Sequence, residues 1–488
     1  MTDRRTVLVA NRGEIALRIL RTCRRLGLRT VAVASEADLA APHAAYADVV
    51  VPLGPPEASA SYLQGDRIIE AAVGQGVTDI HPGFGFLAEN ADFARAVAVA
   101  GIRFVGPPLG AIEAMGSKIA ARAVLDDAGV SPAPGTPVDG PDDPRLDDPA
   151  LRYPLLVKAS AGGGGKGMRR VDDPADLADA IDACRREAQS AFGDGALLVE
   201  RLIEDARHVE VQVLGDSHGT VVALLERDCS LQRRHQKVLE ECPAPGLSDD
   251  TRRTLHDSAV AVAKAVGYEN AGTVEFLVES DGTCHFLEMN TRLQVEHPVT
   301  ELVTGLDLVE WQLRVAAGEA LPEALTSVVG RGHAVEVRLY AEDPLTNFMP
   351  SIGHLDTLVL PTGPGIRVDS GVRQGDEVTP YYDPMLAKII AWGPDRTSAL
   401  DRLDAALQET HVLGVRCNVE LLRWLVGHDV VRRGTPTTAW LEAHAGDFEG
   451  AQTSDDDLIA AATALALHSG GRADASPGPW QTLNGWRL

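Results

Sequence analysis

Thr273-Val274-Glu275-Phe276-Leu277-Val278-Glu279-Ser280-Asp281-Gly282-Thr283-Cys284-His285-Phe286-Leu287-Glu288-Met289-Asn290 consists of two strand-like runs around the dipeptide Asp281-Gly282, a two-residue hairpin signal. Such a turn opposes residues whose numbers sum to 563, so Glu275 faces Glu288. Opposed side chains hold their Cβ atoms ~4.5–5.5 Å apart, where like charges destabilise unless something neutralises them. A divalent cation would do so. Asn290 lies two residues beyond Glu288, on the same face, and adds a neutral oxygen; an all-oxygen set suits Mg²⁺ or Mn²⁺ shared with substrate phosphates. The alternative is a solvated acidic hairpin face.

Working outward, Thr291-Arg292-Leu293-Gln294-Val295-Glu296-His297-Pro298 brings a guanidinium, an amide and a carboxylate beside that pair. An Arg grips a small planar oxyanion through two parallel N–H bonds, and a nearby Glu can take a proton from it; a salt-bridged structural loop would use the same residues. Upstream, Glu226 to Lys237 carries four cationic residues and a His in twelve, more than packing needs, with a solvated basic loop as the alternative. Lys158-Ala159-Ser160-Ala161-Gly162-Gly163-Gly164-Gly165-Lys166-Gly167 sets four consecutive glycines between two lysines. Backbone N–H groups without a Cβ approach an anion closely, so a polyphosphate is the natural occupant and a flexible surface hairpin the rival. It is not a Walker A loop, because Ser160 and Gly167 break that pattern. His81-Pro82-Gly83 opens a turn into a helix, with His81 as a turn or core residue rather than a ligand.

The flanking chain sets the architecture. Thr6-Val7-Leu8-Val9-Ala10 precedes a polar turn and then Ile15, Leu17, Ile19 and Leu20 at helical spacing. Further strand signals at Val31–Ala34, Ile80 and Phe104-Val105 alternate with helical stretches, which predicts a doubly wound parallel sheet over residues 1–105. Gly13 alone stands where a dinucleotide fingerprint wants G-x-G-x-x-G, so NAD binding is rejected. Residues 106–131 read as a helical linker. Pro, Asp and Gly crowd 132–154 as a loop or boundary, and 132–203 form a glycine-loop domain. Strands dominate 204–448, a mixed α+β region with a helix around Ser398 to Gln408, and 449–488 read as a tail. The fold class is thus multidomain α/β and α+β.

Composition limits the function. The 488 residues carry 45 Lys+Arg against 70 Asp+Glu, a net charge of −25, which opposes a phosphate backbone and excludes a dedicated nucleic-acid binder. The longest nearly apolar run, Leu458–Leu467, is half of the ~20 residues a membrane span needs, and the N-terminal apolar stretch is too short for a signal peptide. Six cysteines without C-x-x-C spacing exclude a zinc ribbon and a disulfide framework. The chain reads as cytoplasmic and reduced.

Together these stretches resemble biotin carboxylase, the ATP-grasp component of biotin-dependent acyl-CoA carboxylases, from about Arg5 to Phe448. The resemblance rests on Asn11-Arg12-Gly13-Glu14-Ile15-Ala16, His81 to Asn90, the glycine loop, Glu226 to Lys237, Phe286 to Thr300, Ala334 to Glu342, and Tyr382-Asp383-Pro384-Met385-Leu386-Ala387-Lys388. It implies a ligase that forms a C–N bond: ATP activates bicarbonate as carboxyphosphate, and biotin on a carrier is carboxylated. It implies an N-terminal domain, an ATP-grasp lid over 132–203 and an ATP-grasp core with a C-terminal domain over 204–448. Lys118 and Lys158 would hold phosphates, with Gly164, Gly165 and Met168 lining the lid. Glu200, Arg201 and Ile203 would border the adenine, with His208, Gln232, His235 and Leu277 around the nucleotide. Glu275, Glu288 and Asn290 would hold two Mg²⁺ or Mn²⁺ ions. Lys237, Arg292, Gln294 and Val295 would bind bicarbonate, Glu296 would be its general base, and Arg338 would stabilise the biotin enolate. Phe84 stands where the family usually has Tyr. No methionine sits in an Ala-Met-Lys-Met acceptor sequence, so biotin comes from a carrier on another chain or a removed segment. A carboxyltransferase partner and a homodimer or larger complex are implied. The rivals are another ATP-grasp carboxylate ligase and a non-catalytic nucleotide-binding regulatory subunit.

Overall fold

The computed structural model describes residues 5–160 and 168–450; Gly164, Gly165 and the tail beyond 450 lie outside the described residues. The chain divides into a unit Met1–Ala445 and a unit Gly446–Leu488, and every described strand belongs to the first.

Its N-terminal sheet is parallel throughout, with strands Val49–Gly54, Arg29–Ser35, Thr6–Val9, Asp79–His81 and Arg103–Phe104 in that spatial order. Every side chain of Thr6–Val9 is buried, as expected of a central parallel strand covered on both faces. Strand order reverses between Thr6–Val9 and Asp79–His81, and the crevice beyond the carboxyl ends of such strands is where open α/β sheets bind ligands. Asn11 closes this point by donating from Nδ2 to the carbonyls of Pro82 and Phe84, both at 2.7 Å. His81 behaves as the expected core residue: it is buried, its Nε2 lies 3.1 Å from Gln312 Oε1, and burial lowers its pKa to about 4.

A four-stranded antiparallel sheet follows, ordered Gly135–Val138, Leu197–Arg201, Leu155–Ala159 and Met168–Val171. Gly135–Val138 corrects the all-loop reading of 132–154. It lies at the sheet edge, where Pro137 removes no ladder bond the fold needs. Val157, Leu197 and Val199 pack on Ile181 and Cys184 of the helix Leu177–Phe192.

The third sheet is antiparallel and eight-stranded: Cys284–Asn290, Asn270–Val278, Arg207–Gly215, Val221–Arg233, Gln236–Cys242, His333–Tyr340, Met385–Gly393 and Ile366–Ser370. Val209, Val211, Val213, Val274 and Phe276 bury one face against Leu255, Ala259 and Val262 of the helix Asp249–Ala265. Alternate residues, His208, Glu210 and Gln212 among them, belong to the other face. The Glu226–Lys237 stretch is not a solvated loop: it forms two strands, and Arg227 is wholly buried.

The hairpin pairs Glu275 with Glu288 as expected, though its tip differs. Asp281 Oδ1 accepts from the Thr283 N–H at 2.9 Å, an Asx turn that lengthens the loop. Val278 therefore opposes Cys284, and a register shift at Leu287 restores the pairing before Glu288.

Candidate active site

The three sheets surround a cavity of about 1100 Å³. Its wall at the parallel sheet is Asn11 to Ile15 and Phe84 to Phe86, its small-sheet wall includes Lys158 and Met168, and its floor belongs to the eight-stranded sheet. Three acids stand in register across adjacent strands of that floor, Glu288 opposite Glu275 and Glu275 opposite Glu210, and Arg227 follows opposite Glu210. Three adjacent carboxylates demand positive charge.

Lys237 supplies it. Its Nζ donates to Glu210 Oε2 at 2.6 Å, Glu275 Oε1 at 2.9 Å and Glu296 Oε1 at 2.7 Å. Burial would discharge the ammonium, but these carboxylates hold its pKa well above the ordinary lysine value. Reciprocally, burial opposes ionisation of Glu296, and Lys237 and then Arg338 overcome it, so Glu296 titrates well below a normal carboxyl. Glu275 is likewise held low against burial, by Lys237 and then by His208, whose Nε2 lies 3.1 Å from Oε2. Arg338 bridges Glu240 at 2.6 Å and Glu296 at 3.0 Å. Beside them Arg292 donates to Glu89 at 2.8 Å, Gln294 Oε1 at 3.0 Å and Asn290 Oδ1 at 2.8 Å.

Glu288 behaves differently from Glu275. Burial and then the Glu275 charge raise its pKa, and Lys118 offsets this only partly. A half-buried acid that resists ionisation beside a second acid, with the Asn290 amide oxygen on the same strand, is a donor set that a divalent cation would stabilise, so the residues fit Mg²⁺ or Mn²⁺.

Family models match most of the chain: biotin carboxylase N-terminal domain over 3–112, carbamoyl-phosphate synthase L chain ATP-binding domain over 117–324 and biotin carboxylase C-terminal domain over 336–443. A biotin carboxylase of Halalkalibacterium halodurans is 50% identical over 440 residues, covering 90% of this chain and 97% of its own. This chain belongs to the biotin carboxylase family. It is also similar to the mitochondrial methylcrotonoyl-CoA carboxylase subunit alpha of Dictyostelium discoideum, 47% identical over 99% of this chain and 70% of that one. It spans only 62% of the corresponding rat subunit. Biotin carboxylase of Campylobacter jejuni, solved as a β,γ-ATP complex, superposes with a TM-score of 0.88 at 42% identity, over 90% of this chain and 99% of that one. The biotin carboxylase domain dimer of Hydrogenobacter thermophilus 2-oxoglutarate carboxylase, solved with MgADP, ADP and bicarbonate, gives 0.88 at 43% identity over 92% and 99%.

Among the residues singled out from the biotin carboxylase resemblance, Lys118, Lys158, Met168, Ile203, His208, Gln232, His235, Lys237, Glu275, Leu277, Glu288, Asn290, Arg292, Gln294, Val295 and Arg338 all line this one cavity. Glu296 lies wholly buried against Lys237 and Arg338. Glu200 is buried too, paired with Lys158 and with Arg122 at 2.8 Å, while Arg201 is engaged by Glu279 at 2.7 Å. Glu210 and Glu240 were missed. The signal for Glu210 was present in His208-Val209-Glu210-Val211-Gln212-Val213, a strict alternation whose polar members share the face of Glu275.

Proposed function

We infer that this cavity carboxylates biotin with bicarbonate at the expense of ATP, and that it does so with the residues assembled on the floor of the eight-stranded sheet. The observation that carries the residue roles is the buried chain Lys237–Glu296–Arg338, one base held between two cations at the cavity edge. Lys237, Arg292, Gln294 and the backbone of Val295 bind bicarbonate, and Glu296, ionised throughout the neutral range, takes its proton so that the oxyanion attacks the terminal phosphate. Lys118 and Lys158 neutralise charge on the transferring phosphoryl group, with Met168 lining the cavity beside them. Glu200, Arg201 and Ile203 border the adenine, and His208, Gln232, His235 and Leu277 the rest of the nucleotide. Glu275, Glu288 and Asn290 would hold Mg²⁺ or Mn²⁺, which would neutralise charge on the transferring phosphoryl group. Carboxyphosphate then splits into CO₂ and phosphate beside biotin; the phosphate takes the ureido N1′ proton, and the resulting enolate, whose oxygen Arg338 stabilises, attacks CO₂ through N1′ to give carboxybiotin. Exclusion of water matters because carboxyphosphate is destroyed by it.

Biotin arrives on a carrier domain, and the carboxylated carrier passes to a carboxyltransferase subunit. The working form is a cytoplasmic homodimer or a larger acyl-CoA carboxylase assembly. Among the described residues no helix is long and apolar enough to cross a membrane.

The test is ATP cleavage with Mg²⁺, bicarbonate and free biotin, comparing wild type with Glu288→Gln. Wild-type cleavage is expected to depend on bicarbonate and rise with biotin, and the folded variant to lose about 100-fold or more. Equal turnover removes the metal-ligand role. Cleavage indifferent to bicarbonate favours a ligase for another carboxylate.

A further inference from the structure

Two stretches that carry the resemblance have no part in that chemistry: Asn11 to Ala16, and Tyr382 to Lys388. They meet beneath the bicarbonate-binding turn. Lys388, on the strand Met385–Gly393, is wholly buried. Its Nζ donates to the Val295 carbonyl at 2.7 Å and lies 3.2 Å from Glu14 Oε2. Glu14 sits in the first turn of the helix Gly13–Arg25, and that helix start lines the cavity. One ammonium therefore joins three segments remote in sequence, one of them the site's own Val295–Glu296 peptide.

That peptide is the one from which Glu296 hangs. A peptide unit is planar, so holding the Val295 oxygen fixes the plane that carries the Cα of Val295 and the Cα of Glu296. His297 holds the preceding carbonyl, with Nδ1 at 2.7 Å from Gln294 O. The turn Gln294–His297 is thus pinned at two consecutive carbonyls, and Lys237 and Arg338 find Glu296 where its backbone is fixed.

Stability alone does not call for this lysine. A buried ion pair exchanged for apolar or neutral groups of similar volume is often neutral or stabilising. Of the other acids facing Lys388, Asp369 also takes Arg367 at 2.7 Å, while Glu336, opposite Glu240 across the strands, has neither oxygen hydrogen-bonded and finds in Lys388 its main counter-charge against burial. Glu14, whose oxygens accept no hydrogen bond among the described residues, has Lys388 as its ion-pair partner at 3.2 Å and would be left without it.

We propose that Lys388 is a positioning residue for carboxylation: anchored by Glu14, it fixes the Val295–Glu296 peptide and so the placement of the general base. The proposal rests on the biotin carboxylase reading of the site. The full chain is compared as wild type, Lys388→Met and Glu14→Gln/Lys388→Met, by urea unfolding midpoint and by bicarbonate-dependent, biotin-stimulated ATP cleavage at varied ATP and varied bicarbonate. Lys388→Met is expected to unfold earlier, and the double variant to recover part of that loss. In both, kcat falls about 10–100-fold, the loss typical of removing a supporting contact, with the KM for ATP within about twofold. Activity that recovers with stability in the double variant, or kcat within about threefold of wild type in any folded variant, overturns the role of Lys388. Where the single variant does not fold, the double variant decides. A wild type whose ATP cleavage ignores bicarbonate overturns the underlying reading, and this proposal with it.

Discussion

Replacing Lys237 by Met tests whether one ammonium holds the floor of the site together. The side chain is similar in length, so the change removes charge and three hydrogen bonds, to Glu210 at 2.6 Å, Glu275 at 2.9 Å and Glu296 at 2.7 Å, with little change in packing. Removing one partner of a buried ion pair costs about 3–5 kcal/mol. Glu210 keeps Arg227 at 2.5 Å and Glu296 keeps Arg338 at 3.0 Å, so the cost falls mainly on Glu275, which keeps His208 and the amides of Asn290 at 2.8 Å and Gln294 at 3.3 Å. In the wild type Lys237 holds Glu275 and Glu296 below the ordinary carboxyl range; in the variant, burial raises Glu275. The sign follows: a folded-state pKa raised above the unfolded one contributes stability that is present at low pH and lost as pH rises through it. One proton captured by the folded variant returns ~1.4 kcal/mol per pH unit, hence up to about 4 kcal/mol between pH 8 and pH 5, enough to cancel most of the loss. Urea unfolding of both proteins at fixed pH is the assay. The stability deficit of Lys237→Met should be about 3–5 kcal/mol at pH 8 and shrink toward zero at pH 5. A deficit independent of pH, or one that grows toward acid, refutes the three-carboxylate arrangement.

Glu336→Gln should stabilise at pH 8 and not at pH 5. Burial raises Glu336 well above a normal carboxyl and Glu240, opposite it, to about 7, so stability present below the unfolded carboxyl value is lost as pH rises toward neutrality; unfolding midpoints at the two pH values check it. Gly83→Ala should destabilise by about 1–3 kcal/mol, because Gly83 has φ +67° and a Cβ there would lie 2.8 Å from Asn11 Nδ2. Calorimetry reads the loss, and an unchanged midpoint would deny that Asn11 is held there. Buried Cys23, its thiol pushed up to about 12 by burial, should resist alkylation at pH 8 in the native protein and react in urea, as peptide mass spectrometry would show.

Local chemistry was legible and distant pairing was not. The glutamate pair could be read because hairpin pairing is short-range, yet the correct answer passed through two offsetting departures: the Asx turn at Asp281 shifts the register by one, and the irregularity at Leu287 shifts it back. Glu210 sits 65 residues before Glu275 in sequence and directly beside it in the sheet, and no turn signal reports such a pairing. The parallel sheet was readable from its alternation of strand and helix, whereas Gly135–Val138 was hidden by its proline, a residue that an edge strand accommodates.

The usual rule for an antiparallel strand sends the polar face of an alternating pattern to water. His208-Val209-Glu210-Val211-Gln212-Val213 and Ala334-Val335-Glu336-Val337-Arg338 alternate in this way, and all of these residues are buried. Their polar faces are covered by other parts of the same chain, and each buried charge has to be met there. Arg227, Lys237 and Arg338 meet Glu210, Glu275, Glu296 and Glu240 within hydrogen-bonding distance, while Glu288, in the same register row, keeps a raised pKa that Lys118 and Arg292 offset only partly. An apolar floor would have been cheaper in desolvation. What the polar floor provides is a fixed set of charges in which Glu288, its charge only partly offset, lines the cavity.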